Sequence, residues 1–254
     1  MTDILSAFAW LFDPVNWSGE DGIPNRLAQH IGYSALTLVI AAIIAIPIGL
    51  AIGHTRRFRG LAVGLSGALR AIPTLGLVVL LALSLSSVSL TIIPALIALT
   101  ILAIPPVLAG AYAGVESVDP RTVDAARAMG MTEFQILRKV ELPLGLPLLI
   151  GGLRSAALQV IATWTVAAIL SVGGLGRYLF DGLPVRRYDE MLGGSILVVA
   201  LALVVDGLFA LTQRLVVPRG VTAGKVADVR TRDTGRSVGT ARVSSDPAVS
   251  PEAP

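Results

Sequence analysis

Long runs of apolar residues with almost no charge restrict the fold of this chain more than any other feature. The run from Ile31 to Gly53 is one example. At about 1.5 Å per helical residue, such a run can cross a hydrocarbon core of about 30 Å. Charged residues make up only 15% of the chain, against about 25% in soluble proteins. The sequence therefore predicts an integral membrane protein with several spans and disfavours a water-soluble globule.

Five apolar segments predict an all-α membrane protein with about five transmembrane helices. They are residues 31–53, a stretch within 61–85, 90–112, 147–170 and 191–215. Arg70 and Pro73 interrupt the second segment, so residues 58–69 could instead form an amphipathic approach helix. Pro105-Pro106 predicts a kink in the third segment.

The remaining residues divide the chain into three regions. Residues 1–30 are expected to form an extracytoplasmic or interfacial N-terminus, and residues 31–215 form the membrane domain, which includes the polar loop 113–146. Residues 216–254 are polar and have no apolar periodicity, so this tail is predicted to be disordered.

The distribution of Lys and Arg predicts the orientation of the spans in the membrane. The side that carries loops 54–60 and 113–146 and the residues after the last span has nine basic residues near span ends, against four on the other side. Positive charge is enriched in cytoplasmic loops. The N-terminus is therefore expected outside the membrane and the C-terminus in the cytoplasm.

Several kinds of site are missing from the sequence. There is no cysteine, and His30 and His54 are the only histidines, so no cluster of metal ligands or thiol nucleophile is expected. The spans contain no paired carboxylates of the kind that a polytopic membrane enzyme would use. Gly173–Gly176 and Gly224-Lys225 lack the context of a phosphate-binding loop. The chain is therefore expected neither to catalyse a reaction nor to bind a nucleotide or another cofactor.

The loop 113–146 contains strong helix signals. Asp119 is a favourable N-cap, Pro120 suits the first helical position, and Gly130 is a natural C-terminal stop. Thr132 and Gln135 match a capping box that opens a second helix. This second helix is expected to run through about residue 140 and to end at residue 143, which is proline.

The first loop helix carries a narrow apolar ridge. Val123, Ala126 and Met129 recur at three-residue spacing on an otherwise charged helix. Such a ridge could enter a groove on a soluble partner, or it could pack on the ends of the chain's own spans. The pattern alone leaves both possibilities open.

The spacing of the loop residues resembles the EAA loop of permease subunits in ATP-binding-cassette (ABC) importers. That loop reads Glu-Ala-Ala, three residues, Gly, nine residues, Ile-x-Leu-Pro, and here Asp124 replaces Glu and Val140 replaces Ile. The resemblance implies a type I importer fold in which the first loop helix is the coupling helix held by an ATPase. The implied coupling residues are Asp124, Ala125, Ala126, Met129, Gly130, Phe134, Leu142 and Pro143.

Other segments look like the osmoprotectant branch of these permeases, which carries glycine betaine, carnitine, choline and proline betaine. They are residues 30–38, 46–50, 71–75, 159–163, 173–177 and 180–182. The resemblance implies a bacterial cell membrane as the location, a cytoplasmic ATPase dimer that binds Mg-ATP, an extracytoplasmic solute-binding protein and a second permease subunit, identical or similar. Nucleic acid is not an expected partner. The solute stays open, and a permease for methionine or another amino acid is the alternative.

A few residues in or near the spans are candidates for the solute path or for gating. They are Arg70, Tyr112, Trp164 and Asp206. The rings of Tyr112 and Trp164 could attract a quaternary ammonium group by cation–π interaction. The alternatives are snorkelling for Arg70 and Arg154 and a buried hydrogen bond for Asp206. A secondary transporter would need internal repeats or intramembrane carboxylates, and Asp206 alone gives little support for one.

Three pairs of glycines are spaced four residues apart, which lets membrane helices approach closely. They are Gly49/Gly53, Gly60/Gly64 and Gly110/Gly114. Helix packing inside the subunit is the main expectation for these pairs, and a contact between subunits is the alternative.

Overall fold

The computed structural model describes residues 2–85 and 92–216, and this part of the chain is helical without strands. The predicted tail from residue 217 onward, which includes Gly224-Lys225, lies outside the described residues. The helices are α1 (Thr2–Phe12), α2 (Ile23–Thr55), α3 (Arg59–Ala71), α4 (Thr74–Ser84), α5 (Ile92–Glu116), α6 (Pro120–Ala128), α7 (Glu133–Ile136), α8 (Leu142–Ala167), α9 (Arg177–Val185) and α10 (Tyr188–Val216). A π turn (Leu137–Glu141) joins α7 to α8, and short 3₁₀ turns lie at Pro14–Trp17 and Ala168–Leu170.

Four of the helical segments are long and apolar enough to span a membrane. They are Ile23–Thr55, Ile92–Glu116, Glu133–Leu170 and Tyr188–Val216. The pair α3 and α4 passes the same test together, with a bend of 83° between the two helices. The bend falls at Pro73, where the sequence predicts an interruption. The structure therefore confirms an all-α membrane fold with four to five spans.

The bent pair α3–α4 connects the two ends of the helix bundle. Arg59 at the start of α3 forms an ion pair of 2.9 Å with Glu116 at the last residue of α5. Ile92, the first residue of α5, instead packs against the cluster around Trp164, as does Leu170 after the end of α8. The chain consequently passes from one end of α5 to the other through α3 and α4. We call the end with Glu116 and residues 117–143 the loop end, and the other the opposite end.

The centre of the fold is α5, which lies between α2 and α8. Its small buried residues Ala95, Ala98 and Ala103 pack with Trp164 of α8 and Ala41 of α2. Small side chains let the three helices approach closely, so dispersion contacts rather than a water-excluding core hold them together in the membrane. The helix also continues through Pro105 and Pro106, both buried, without ending there.

Two of the three glycine pairs form helix contacts within the subunit. A Cβ on Gly49 would lie 2.9 Å from the backbone oxygen of Leu108, and one on Gly53 would lie 2.7 Å from that of Tyr112. Gly110 and Gly114 face α8 at similarly short distances. A Cβ on Gly60 or on Gly64 would meet nothing within 4 Å. Packing inside the subunit is thus confirmed for the first and third pairs.

The sequence predicts that the second loop helix ends at Pro143, but the structure shows no end there. The chain instead continues through the π turn Leu137–Glu141 directly into α8, which begins at Leu142 rather than near residue 147. The Leu142 N–H donates to the Leu137 oxygen, five residues back. This places Pro143 in the first turn of α8, where a missing N–H costs no hydrogen bond of that helix.

At the opposite end, α1 packs against the start of α10. The Trp10 ring lies against Gly193 and meets Tyr178 edge to face at 5.0 Å between ring centroids. The Tyr178 hydroxyl donates to the backbone oxygen of Asp21 at 2.8 Å. Burial raises the pKa of Tyr178 to about 12, so this donor keeps its proton at neutral pH. The adjoining helix α2 begins at Ile23 rather than at residue 31, so residues 23–30 belong to the first long helix.

Candidate functional site

The loop between α5 and α8 is the candidate site, and its first helix has the predicted ends. The Asp119 side chain accepts a hydrogen bond of 2.9 Å from the Arg121 N–H, and Pro120 is the first residue of α6. The helix closes when the Met131 N–H donates to the Ala126 oxygen at 3.2 Å. Gly130 adopts a φ of +82°, the left-handed conformation that favours glycine. The predicted cap and stop are both confirmed.

The predicted capping box of the second helix is also present. The Thr132 N–H donates to Gln135 Oε1 at 2.9 Å, and the Gln135 N–H donates to Thr132 Oγ1 at 3.4 Å. The two bonds satisfy backbone donors that a helix start would otherwise leave free. They fix the direction in which the chain leaves the glycine turn.

The apolar ridge of α6 packs mostly inside the chain. Val123 and Ala126 are buried in one cluster with Val118 and Ile136. Met129, in contrast, is 76% exposed. Of the two alternatives for the ridge, internal packing holds for its first two residues, and only the last presents an apolar side chain to the surroundings.

The outer surface of the loop combines two apolar side chains with charged groups. Phe134 is 70% exposed, close in sequence to Met129. Arg127 donates to both oxygens of Glu133 at 2.7 and 3.0 Å and to Asp124 at 3.0 Å. The hydrogen bond to Glu133 raises the pKa of Arg127 above its usual value, so the guanidinium stays charged.

The structure brings together most of the residues that the motif marks for coupling. Five of them are exposed on the loop: Asp124, Ala125, Met129, Gly130 and Phe134. Ala126 is buried beneath them, and Leu142 and Pro143 are half-buried at the start of α8. The five exposed residues are accessible to a partner, and their role in coupling stays a prediction.

The path candidates do not form a common site. The Trp164 ring is 1% exposed, and its indole N–H donates to Thr37 Oγ1 at 2.9 Å. Its ring is therefore inaccessible to a solute in this conformation. Tyr112 packs in a different cluster, with Ala45 and Val107, and Arg70 lies exposed near the end of α3.

Asp206 forms an ion pair with Arg154 that the sequence does not reveal. The guanidinium Nε and Nη2 atoms lie 2.5 and 2.6 Å from the two carboxylate oxygens, which joins α8 to α10. The expected snorkelling of Arg154 is replaced by this bidentate contact. The two residues are 52 positions apart, so only their opposite charges within two spans hinted at a pair.

We expect Asp206→Ala to lower the amount of subunit in the membrane by roughly twofold or more, because it leaves the Arg154 guanidinium unpaired between two spans. Quantitative immunoblotting of membranes and thermal unfolding in detergent measure this effect. The matched control is Arg154→Met with Asp206→Leu, which removes both charges and should restore most of the loss. Wild-type levels and stability of the single variant would show that the pair is unimportant for folding.

A family model and several known permease proteins match this chain. The family model described as "Binding-protein-dependent transport system inner membrane component" matches residues 27–220. The glycine betaine/carnitine/choline transport system permease protein OpuCB of Bacillus subtilis is 29% identical over 200 residues, which cover 79% of this chain and 91% of that protein. The carnitine transport permease protein OpuCB of Listeria monocytogenes is 32% identical over 193 residues, which cover 76% and 87% of the two chains.

A further relative and a solved structure agree with these matches. The osmoprotectant import permease protein OsmW of Salmonella typhimurium is 30% identical over 195 residues, which cover 76% of this chain and 91% of that protein. An inward-facing structure of the MetNI methionine ABC transporter aligns with a TM-score of 0.67 at 20% identity, covering 83% of this chain and 98% of that one. At this identity the structural match shows a shared fold.

Proposed function

We propose that this chain, which belongs to the family of binding-protein-dependent transport system inner membrane components, forms the membrane path of an ABC importer for osmoprotectants such as glycine betaine, carnitine, choline or proline betaine. The loop 117–143 is the single observation that carries the importer class, because its residues follow the EAA-type spacing and form a capped helix α6, a left-handed turn at Gly130 and the start of α8. The named permeases of similar sequence support osmoprotectants over methionine.

The proposal places the loop end in the cytoplasm and the opposite end outside. The basic residues near the ends of the spans support this orientation, since Arg56, Arg57 and the loop residues Arg121, Arg127 and Arg138 all lie at the loop end. Met129 and Phe134 then present apolar side chains to a cytoplasmic ATPase. A binding protein would deliver the solute at the opposite end, and a second permease subunit would complete the path.

In this assembly the subunit works by moving rather than by making or breaking bonds. Helix α6 is joined to α5 by three residues, 117–119, and to α8 by the Gly130 turn, α7 and the π turn. A displacement of α6 by the ATPase is therefore transmitted to two spans that pack closely on each other. Differential contacts in two conformations are what a conformational pump requires. ATP and Mg²⁺ would be bound by the ATPase and not by this chain.

Uptake of radiolabelled glycine betaine tests the proposal. The cells used lack their own betaine transport systems, and they express this chain together with the ATPase and the binding protein encoded beside it. We expect uptake that disappears when the ATPase is omitted or inactivated. Uptake without the ATPase would contradict the importer class and favour a secondary carrier. Uptake of methionine but not of betaine, carnitine or choline would contradict the osmoprotectant assignment and keep the importer class.

A further inference from the structure

His54, in the last turn of α2, contacts two glutamates of the loop at once. Its Nδ1 atom lies 2.5 Å from Glu141 Oε2, and its Nε2 atom lies 3.2 Å from Glu133 Oε2. Carboxylate oxygens are acceptors, and both ring nitrogens donate only in the doubly protonated ring. In that form His54 binds both ends of the segment 133–141, although Glu141 is 87 residues away in sequence.

The contact with Glu141 is sheltered from solvent. Glu141 is only 5% exposed, and the His54 side chain is 17% exposed. A buried carboxylate is costly unless it is paired, and His54 is the partner that the described residues supply. Glu141 is also the last residue of the π turn. A π turn contains an extra residue and so changes the direction of the side chains that follow a regular helix.

The second contact of His54 continues into the coupling helix. Glu133 holds His54 through Oε2 and also accepts two hydrogen bonds from Arg127, which in turn reaches Asp124 of α6. Exposed ion pairs on their own contribute little stability. Here they are joined to a sheltered pair, and the whole series Glu141, His54, Glu133, Arg127 and Asp124 connects the π turn, α2, α7 and α6.

We infer that His54 is a positioning residue for coupling, which fastens the second half of the loop to the paired helices α2 and α5. The contacts of Gly49 and Gly53 hold α2 directly against the α5 backbone. With His54 in place, α6 is attached to this pair at both of its ends, through residues 117–119 and through Glu133. Helix α6 cannot then rotate about the Gly130 turn unless the spans α2 and α5 move as well. The inference rests on the proposed function in one respect, that the ATPase acts on α6.

Two substitutions separate this positioning role from a role in folding. His54→Asn keeps an amide N–H₂ near the Nδ1 position, so it should retain the buried bond to Glu141 and lose the bond to Glu133. His54→Ala removes both bonds. Thr55→Ala is the matched control, because Thr55 lies next to His54 at the exposed end of α2 and takes no part in the series of ion pairs.

The variants are compared in the complete transporter, reconstituted in liposomes with its ATPase and binding protein. We expect His54→Asn to assemble normally and to retain basal ATP hydrolysis, but to lose about tenfold in solute uptake, within the range of about 5- to 150-fold that corresponds to typical coupling energies. Thr55→Ala should behave as the wild type. Normal uptake by His54→Asn and His54→Ala in an assembled complex would overturn the inference.

A distance measurement tests the same inference without relying on transport. The sequence contains no cysteine, so spin labels can be placed at Arg57→Cys beside the end of α2 and at Met129→Cys at the end of α6, both exposed positions. We expect one narrow distance distribution with His54 and a broader one with His54→Asn. An unchanged distribution would contradict the inference. If the wild-type complex fails to import osmoprotectants, the proposed function fails while this measurement still decides whether His54 fastens the loop.

Discussion

Replacing Gly152 by valine is expected to prevent the subunit from accumulating in the membrane, whereas the same change at Gly151 should leave it folded. A Cβ on Gly152 would lie 2.7 Å from the Gly110 Cα and 2.7 Å from the Pro106 backbone oxygen. These are backbone atoms of α5, so α5 and α8 must separate to admit a side chain at residue 152. A Cβ on Gly151 meets nothing within 4 Å.

The two variants share everything except this contact. Both replace a glycine with valine in the middle of α8, so both change helix propensity by the same amount. Overpacking of a tight contact costs about 1–3 kcal/mol or more. Only Gly152→Val places a side chain between α5 and α8, so only this variant should be destabilised by that amount. Membrane level and unfolding temperature in detergent are the measurements, since Gly151→Val could alter transport without altering the fold. Equal levels and equal unfolding temperatures for the two variants would contradict the contact.

Local signals are the part of the structure that the sequence could predict. The cap at Asp119, the capping box at Thr132 and the stop at Gly130 each involve residues within five positions of one another, and all three are present. The apolar segments are predictable for a related reason, because a helix that crosses lipid must be apolar along its own length. Such features need no knowledge of how the chain folds back on itself.

Contacts between distant segments could not be predicted in this way. Arg154 and Asp206, and likewise His54 and Glu141, are brought together only by the packing of spans. The incorrect prediction that the second loop helix ends at Pro143 has a similar origin. Proline normally ends or kinks a helix, and the π turn before it, which lets the helix continue, has no signature in the residue types.

The apolar ridge on α6 illustrates a further limit. Its spacing correctly indicates one apolar face, but spacing does not say which surface covers that face. Val118 and Ile136 cover Val123 and Ala126, so the face belongs mostly to the chain's own core. What remains for a partner is Met129, together with Phe134 from the next helix, which the ridge pattern does not include.

Substituting Gly130 with valine is expected to abolish most of the uptake while leaving the spans intact. The residue has a φ of +82°, a conformation that costs other residues about 1–2 kcal/mol and β-branched residues more. A cost of about 2 kcal/mol shifts a conformational equilibrium by about thirtyfold. The turn that sets α6 against α7 would then be disfavoured by this factor relative to the other conformations of the loop. We expect betaine uptake to fall about tenfold or more, with weaker retention of the ATPase during purification.

The matched control is Gly130→Asn, since asparagine tolerates the left-handed conformation far better than valine does. Nothing lies within 4 Å of a Cβ at this position, so the two side chains differ in the backbone conformation they permit and not in what they collide with. Gly130→Asn should therefore keep most of the uptake and hold the ATPase. If both variants lose uptake equally, the side chain itself obstructs a partner, and the exposed turn is part of the ATPase contact. If both transport normally, the turn is not needed for coupling, and the role proposed for α6 is wrong.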